Sequence, residues 1–291
     1  MSLRVATALM VTAVLLAGGC SMVRIGYNQF DTIAAWMADD YFDLDPQQKQ
    51  QFSTRFQRLH EWHRYEQLPD YAAFLADTRQ RLQRGLRRDD VVWVMEGVKA
   101  RYHAIVRRGA DDAAALLATI TPAQLDALQR QWEKDNTRYV RDYALDGANE
   151  DRRRARLRRT VDRIRDWTGT LTREQEARID AMIEAMPDIA QLRHEDRIRR
   201  QREFLSLLAL RGEPAAFPSR LRHWLLHWEE GRDPEYDRRY RQWLDRRVEM
   251  MVAVDRMLTP EQRANVVGRL QRYIDDFRAL SERAGMRTAT H

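Results

Sequence analysis

An all-α fold is predicted by three properties of this 291-residue chain. Apolar residues recur at three- and four-residue spacing, the period of a helix with one buried face. No segment sustains the apolar–polar alternation of a half-buried strand. The prolines (Pro46, Pro69, Pro122, Pro187, Pro214, Pro218, Pro234 and Pro260) fall where the apolar stripes start or stop. Proline costs no hydrogen bond at a first helical position, so this distribution punctuates helices rather than breaking them. The expected architecture is an elongated multi-helix bundle.

The chain begins with a leader. Arg4 precedes an apolar run over residues 5–17, and Gly18-Gly19-Cys20 closes it. A positive start, a short apolar stretch and small residues before a break make a secretory signal peptide. The run is shorter than the roughly 20 residues a spanning helix requires. Cys20 is the only cysteine. Its position after Ala17, Gly18 and Gly19 resembles a bacterial lipoprotein signal, with Ala17 where leucine is usual. The resemblance implies removal of residues 1–19 and acylation of the Cys20 thiol, which ties the protein to a membrane. Ser21 is similar to an outer-membrane sorting signal. The expected location is therefore the periplasmic face of the outer membrane, with the inner membrane as the alternative.

Composition fits export. With one cysteine no intrachain disulfide can form, so a packed core must supply the stability. The 50 basic and 44 acidic residues leave a formal charge of +6. Three of the basic residues are lysine (Lys49, Lys99 and Lys134) and 47 are arginine. Acids and arginines are interspersed, which reads as solvated helix faces with opposite-sign pairs. Basic charge that is not segregated from acid also disfavours nucleic-acid binding.

Residues 20–45 read as the lipidated N-terminus, a short tether and a first helix. Tyr27, Phe30, Ile33, Ala34, Met37 and Tyr41 suit one face of a helix starting near residue 27. From Cys20 to Tyr27 the tether spans at most about 23 Å, at 3.3 Å per residue. The folded body is thus expected to sit against the membrane. Further stripes follow: Leu125, Leu128 and Trp132; then Leu157, Val161, Ile164 and Trp167; then Ile179, Ile183 and Met186. The last two are Tyr240, Trp243, Arg247, Met251, Val254 and Leu258, and Val267, Leu270, Ile274 and Phe277. Arg152, Arg156, Arg159 and Arg163 line the polar side of the third of these helices. That face reads as solvated and balanced by Asp162 and Asp166, or as one that meets anionic headgroups.

One pattern occurs four times: Leu44-Asp45-Pro46-Gln47-Gln48, Ile120-Thr121-Pro122-Ala123-Gln124, Leu171-Thr172-Arg173-Glu174-Gln175 and Leu258-Thr259-Pro260-Glu261-Gln262. Each is a capping box. The oxygen of Asp45, Thr121, Thr172 or Thr259 accepts from the first turn, and Gln48, Gln124, Gln175 or Gln262 reaches back to the cap's own N–H. Asp45 and Thr121 are 76 positions apart, and Thr172 and Thr259 are 87 apart. This spacing suggests two duplicated halves of four to five helices each. Half A spans 46–148 and half B 169–284, with a bridging helix at 149–168 and a disordered tail at 285–291. Trp93 and Trp224 fall at similar offsets within the halves.

Two resemblances follow. Tyr27-Asn28, Trp36 and Asp40-Tyr41-Phe42-Asp43, with the lipidation signal and helical character, look like the mature N-terminus of an uncharacterised family of proteobacterial lipoproteins known from pseudomonads and relatives. The family brings no assigned activity. The Leu-Thr-x-x-Gln boxes at Thr172 and Thr259 are similar to the LTxxQ motif of periplasmic Spy/CpxP-like proteins. That likeness implies chaperone-like binding.

Catalytic signals are poor. His60 and His63 lie at i,i+3 and His223 and His227 at i,i+4, but no third metal ligand can be named, so no metal ligand is assigned. Asp39, Asp40, Asp43 and Asp45 could gather a cation, though capping and tyrosine-partner roles suit them better. No nucleophile elbow or phosphate-cradling loop is present. No catalytic residue and no cofactor are assigned. The expected role is non-enzymatic binding of an envelope protein: a helical cradle with an apolar concave face and arginines at the rim. The alternatives are a cell-wall or glycan hydrolase using the Asp39–Asp45 cluster, and a structural scaffold.

Overall fold

Capping and proline set nearly every helix start. The computed structural model describes residues 22–282. Ala17, Gly18, Gly19, Cys20, Ser21 and the 285–291 tail lie outside the described residues. Among those described, the chain is all-α. It runs through α1 (Met22–Asn28), α2 (Phe30–Phe42), α3 (Pro46–Trp62), a π-helical turn (His63–Gln67), α4 (Leu68–Gln83) and α5 (Arg88–Leu117). It continues with α6 (Pro122–Asp142), α7 (Asn149–Thr168), α8 (Arg173–Glu184), α9 (Ala190–Ala209), α10 (Phe217–Leu226), α11 (Pro234–Met257) and α12 (Pro260–Ser281).

Pro46, Pro122, Pro234 and Pro260 each open a helix, as predicted. Pro69 does not stop one. The helix passes straight through it from α3 into α4 by way of the π turn, where the Leu68 N–H reaches the His63 carbonyl. A proline ring collides with the carbonyl four residues back and offers it no N–H. Widening one turn to i→i+5 relieves both problems without ending the helix.

The core has three parts. The largest joins Leu44, Leu117 and Ile120 to Leu128 of α6, Leu207 and Leu208 of α9, and Phe217 and Leu221 of α10. A second joins Val161 of α7 to Leu171, Ile179 and Ile183 around α8 and to Met250 of α11. The third packs Val91 of α5 on Val248 and Val252 of α11. Helix α5 has 30 residues, about 45 Å at 1.5 Å each, and reaches from the third core to the first. The longest helix–helix contact lies between α4 and α12. The stretches 46–148 and 169–282 therefore interleave in space: α9 and α10 complete a core begun by α5 and α6, and α12 lies along α4.

All four predicted capping boxes form. Moreover, they meet in pairs. Gln48 donates to Gln124 Oε1 at 3.1 Å and receives from Gln124 Nε2 at 2.5 Å. Gln175 and Gln262 exchange the same two bonds at 2.8 and 2.9 Å. The second proton of each amide goes to the carbonyl two residues before the partner's cap: Thr119 for Gln48, Asp43 for Gln124, Met257 for Gln175 and Thr170 for Gln262. Each Oε1 also accepts its own cap's N–H. A glutamine amide has two donors and two acceptor sites, so all four capacities are filled in each buried side chain. One latch clamps the N-terminus of α3 to that of α6, and the other clamps α8 to α12.

Candidate functional site

The first core leaves a groove of about 330 Å³ open between helices. Ala38 and Phe42 of α2 form one side. Phe52, Phe56 and Leu59 recur along α3 at three- and four-residue intervals, so they share one face and form the floor. Ala113 and Leu116 of α5 and Leu225 of α10 close the far side. Small residues keep it open: a side chain at Gly109 would press on Leu59 at 3.3 Å. Polar groups are confined to one edge, where Asp112 of α5 receives Arg55 at 2.7 Å and Arg58 at 2.8 Å. The latch between α3 and α6 sets this geometry, because it fixes the starts of those helices and the end of α2 through Asp43.

An aromatic ladder continues along α3 beyond the groove. Phe52 stacks on Phe56 at 5.4 Å, Phe56 on His60 at 6.0 Å, and His60 tilts against Tyr27 at 4.7 Å. The Tyr27 hydroxyl lies 2.9 Å from His63 Nδ1. Burial pushes Tyr27 up, so its hydroxyl keeps its proton and donates it to a neutral His63. Burial, with His60 beside it, holds the His63 imidazole down to about 4. The sign follows. An unfolded His63 titrates near 6.5 and takes up protons that the folded one refuses. Stability from this contact is complete above 6.5 and lost as pH falls towards 4. An NMR titration of the His63 ring should show a midpoint well below that of an exposed imidazole, with Tyr27 and α1 resonances moving together. A midpoint near 6.5 would contradict the contact.

The predicted family-motif residues dock the N-terminal helices. Asn28 accepts from Arg64 at 2.8 Å, and Tyr41 donates to Asp135 of α6 at 2.6 Å, a bond that raises the Tyr41 pKa. Asp40 accepts from Gln131 at 3.0 Å. Asp43 ends α2 in the left-handed conformation, φ 48°. Trp36 stands apart, 68 % exposed. The first-helix stripe is only partly buried: Ala34 and Tyr41 face the body, whereas Phe30, Ile33 and Met37 are exposed. The helix starts at Met22, five residues earlier than expected, and the earlier start rotates no residue, but α3 and α6 together cover only one side of it.

The acidic cluster is dispersed among structural partners. Asp39 holds Lys49 at 2.9 Å and accepts the Leu44 N–H, Asp40 meets Gln131, and Asp45 caps α3. His223 and His227 stack at 4.3 Å. Glu230 brings a carboxylate oxygen 2.8 Å from His223 Nε2 and another 3.5 Å from His227 Nδ1. Sequence spacing could not name Glu230, because a turn rather than a helix returns it to the pair. Trp93 and Trp224, matched by offset, have like surroundings: Arg81 lies over Trp93 at 4.1 Å and Arg200 over Trp224 at 3.6 Å, with Phe74 and Phe204 beside them.

Fold and groove define an all-α multi-helix protein with an apolar concavity and no helix long and apolar enough to cross a membrane among the described residues. A family profile matches residues 40–241, and the chain belongs to that family of unknown function (DUF6279). The expected membership of an uncharacterised family holds at that level. Asp40, Tyr41 and Asp43 lie inside the matched stretch; Tyr27, Asn28 and Trp36 lie before it. No curated protein and no solved structure matches the chain.

Proposed function

We propose that this chain is a lipid-anchored binding protein of the cell envelope that holds a short apolar segment of a partner protein in the groove between α2, α3, α5 and α10. The observation that carries this reading is the groove itself. Its walls are aromatic and aliphatic, its volume of about 330 Å³ suits a few side chains rather than a domain, and its charged edge is one arginine–aspartate cluster. This narrows the predicted cradle to a slot with arginines at the rim. It leaves the partner's identity to experiment.

The anchor rests on Arg4, the apolar run, Gly18, Gly19 and Cys20, with Ser21 favouring the outer membrane over the inner. The exposed residues that follow support a body seated on the bilayer. Hydrogen bonds from Gln29 to Ile25 and from Ile33 to Gln29 carry the helical ladder from α1 into α2. Met22, Ile25, Ile33 and Trp36 then recur on one outward face, and Met22 is 81 % exposed. A tryptophan among such residues suits the headgroup level of a membrane.

The groove is tested in living cells with a photo-crosslinking residue at Phe56. The expected result is one defined protein adduct. Ala113→Trp, which projects an indole from exposed α5 backbone into the slot, should abolish the adduct while circular dichroism remains unchanged. An adduct that survives Ala113→Trp, or none at all in the wild type, would overturn the reading.

A further inference from the structure

A second cleft, of about 110 Å³, lies between α7, α9 and α11. It gathers Arg156, Arg159 and Arg163 from α7, Arg193 from α9 and Arg247 from α11, against a single carboxylate, Asp188. Three of the four arginines predicted as a solvated face thus line a cleft, Arg163 from its exposed edge, and two distant arginines join them. Asp188 is shared, 3.8 Å from Arg152 and 3.9 Å from Arg156. Among the described residues no carboxylate lies in ion-pair distance of Arg159, Arg163, Arg193 or Arg247, although such pairs are common on the rest of α7: Arg153 holds Asp180 at 2.5 Å and Arg165 holds Glu176 at 2.5 Å.

Aromatic faces, backbone carbonyls and the Tyr236 hydroxyl beside Arg193 take part of the guanidinium capacity, and the remaining N–H groups are open to a ligand. Arg159 lies over Tyr143 at 3.9 Å and donates to the Asp142 carbonyl. Arg193 lies over Trp243 at 4.9 Å. Arg156 reaches the Met186 carbonyl at 3.4 Å, and its Nε is buried without a partner. The floor is Ile183, Met186 and Met250, apolar groups that weaken screening. Burial lowers the Arg247 pKa, and Arg163 and Arg193 lower it further. Like charges assembled in a half-buried cleft repel one another, and an anion between them relieves that repulsion.

We propose that this cleft binds a phosphate-type oxyanion. A carboxylate would satisfy one guanidinium fork, whereas several forks around one cavity match a tetrahedral phosphorus group, whose anionic oxygens point towards different guanidiniums. The same chemistry is offered by free phosphate and by the phosphodiester of an anionic lipid headgroup. The inference is independent of the apolar groove and of the acyl anchor.

Thermal unfolding of the purified protein with inorganic phosphate, against chloride at equal ionic strength, tests the first source. Flotation with phosphatidylglycerol vesicles, against phosphatidylcholine, tests the second. A rise in melting temperature with phosphate, or selective flotation with phosphatidylglycerol, is expected. Either response should fall at least tenfold in apparent affinity in Arg247→Gln and Arg163→Gln and be partly kept in Arg247→Lys. In phosphate-free buffer Arg247→Gln should melt at or above the wild-type temperature, because it removes repulsion; a purely structural arginine would give the opposite. Responses equal in wild type and both glutamine variants, or absent with both probes, would overturn the proposal.

Discussion

Replacing Gln262 by glutamate is expected to destabilise the protein by about 3 kcal/mol, although glutamate serves a capping box as well as glutamine does. The substitution separates two roles of one side chain. In a simple box the residue only accepts the cap's N–H, as Gln262 Oε1 does from Thr259 at 3.0 Å, and a carboxylate does that equally well. Gln262 also donates, to Gln175 Oε1 at 2.9 Å and to the Thr170 carbonyl at 2.7 Å. A carboxylate has no proton for either bond, and it places a charge against two buried oxygens. Gln48→Glu should behave alike, since Gln48 donates to Thr119 and Gln124 at 3.0 and 3.1 Å. Urea unfolding of the single variants, and of Gln175→Glu with Gln262→Glu, measures the coupling within one latch. A change near zero for Gln262→Glu would mean that the helices are capped but not joined.

The boxes show what a sequence can disclose. Each is local, with cap and glutamine three positions apart, so Asp45, Thr121, Thr172 and Thr259 announce helix starts unaided. Their meeting in pairs is tertiary and depends on where α6 and α12 lie; the spacing of the boxes suggested a duplication and not this contact. The groove was illegible for the same reason. Phe52 and Phe56 are four positions apart, as any apolar helix face allows, and nothing local says that Gly109 and Ala113 leave the opposite wall too thin to cover them. Arg156, Arg159 and Arg163 were visible as one face of α7. That the face turns towards Arg193 and Arg247 is a consequence of how α7 packs on α8 and α11 around Val161. Pro69 does stand in the first turn of α4, where proline is tolerated, but the chain before it stays helical because the backbone widens into the π turn.

The same packing links the N-terminal helices to the latches. Arg24 of α1 reaches across to buried Asp276 of α12 at 2.7 Å, and Tyr27 meets the π turn. Tyr41 and the Asp43 carbonyl tie α2 to α6. A pull on residue 22 is therefore passed to α12 and α6, the helices that the two latches start.

Asp90→Ala is expected to cost a further large amount, about 2–4 kcal/mol at neutral pH, because one fully buried carboxylate joins two helices. Its Oδ1 accepts from Arg81 at 2.6 Å and Arg84 at 2.9 Å at the end of α4, and its Oδ2 accepts the Arg87 N–H at 3.0 Å at the start of α5. Between them the chain turns at Gly85 with φ +87°, so no longer loop can absorb a loosened contact. Arg84 and Arg87 can recover water, being 54 % and 72 % exposed; Arg81, over Trp93, is the group left stranded. Burial alone would push the Asp90 carboxyl up, but the hydrogen bonds from Arg81, the Arg87 N–H and Arg84 outweigh it and hold the group well below the usual carboxylate range. A carboxyl depressed on folding contributes fully above its unfolded value of 3.8, and that contribution is lost as pH falls below it. Urea midpoints of wild type and Asp90→Ala should thus differ most at neutral pH and converge in acid, in a window below the one set by His63. Asp90→Asn keeps the volume and one acceptor and should fall between them. A gap that stays constant from neutral pH down to strong acid would show that Asp90 works by shape and not by charge.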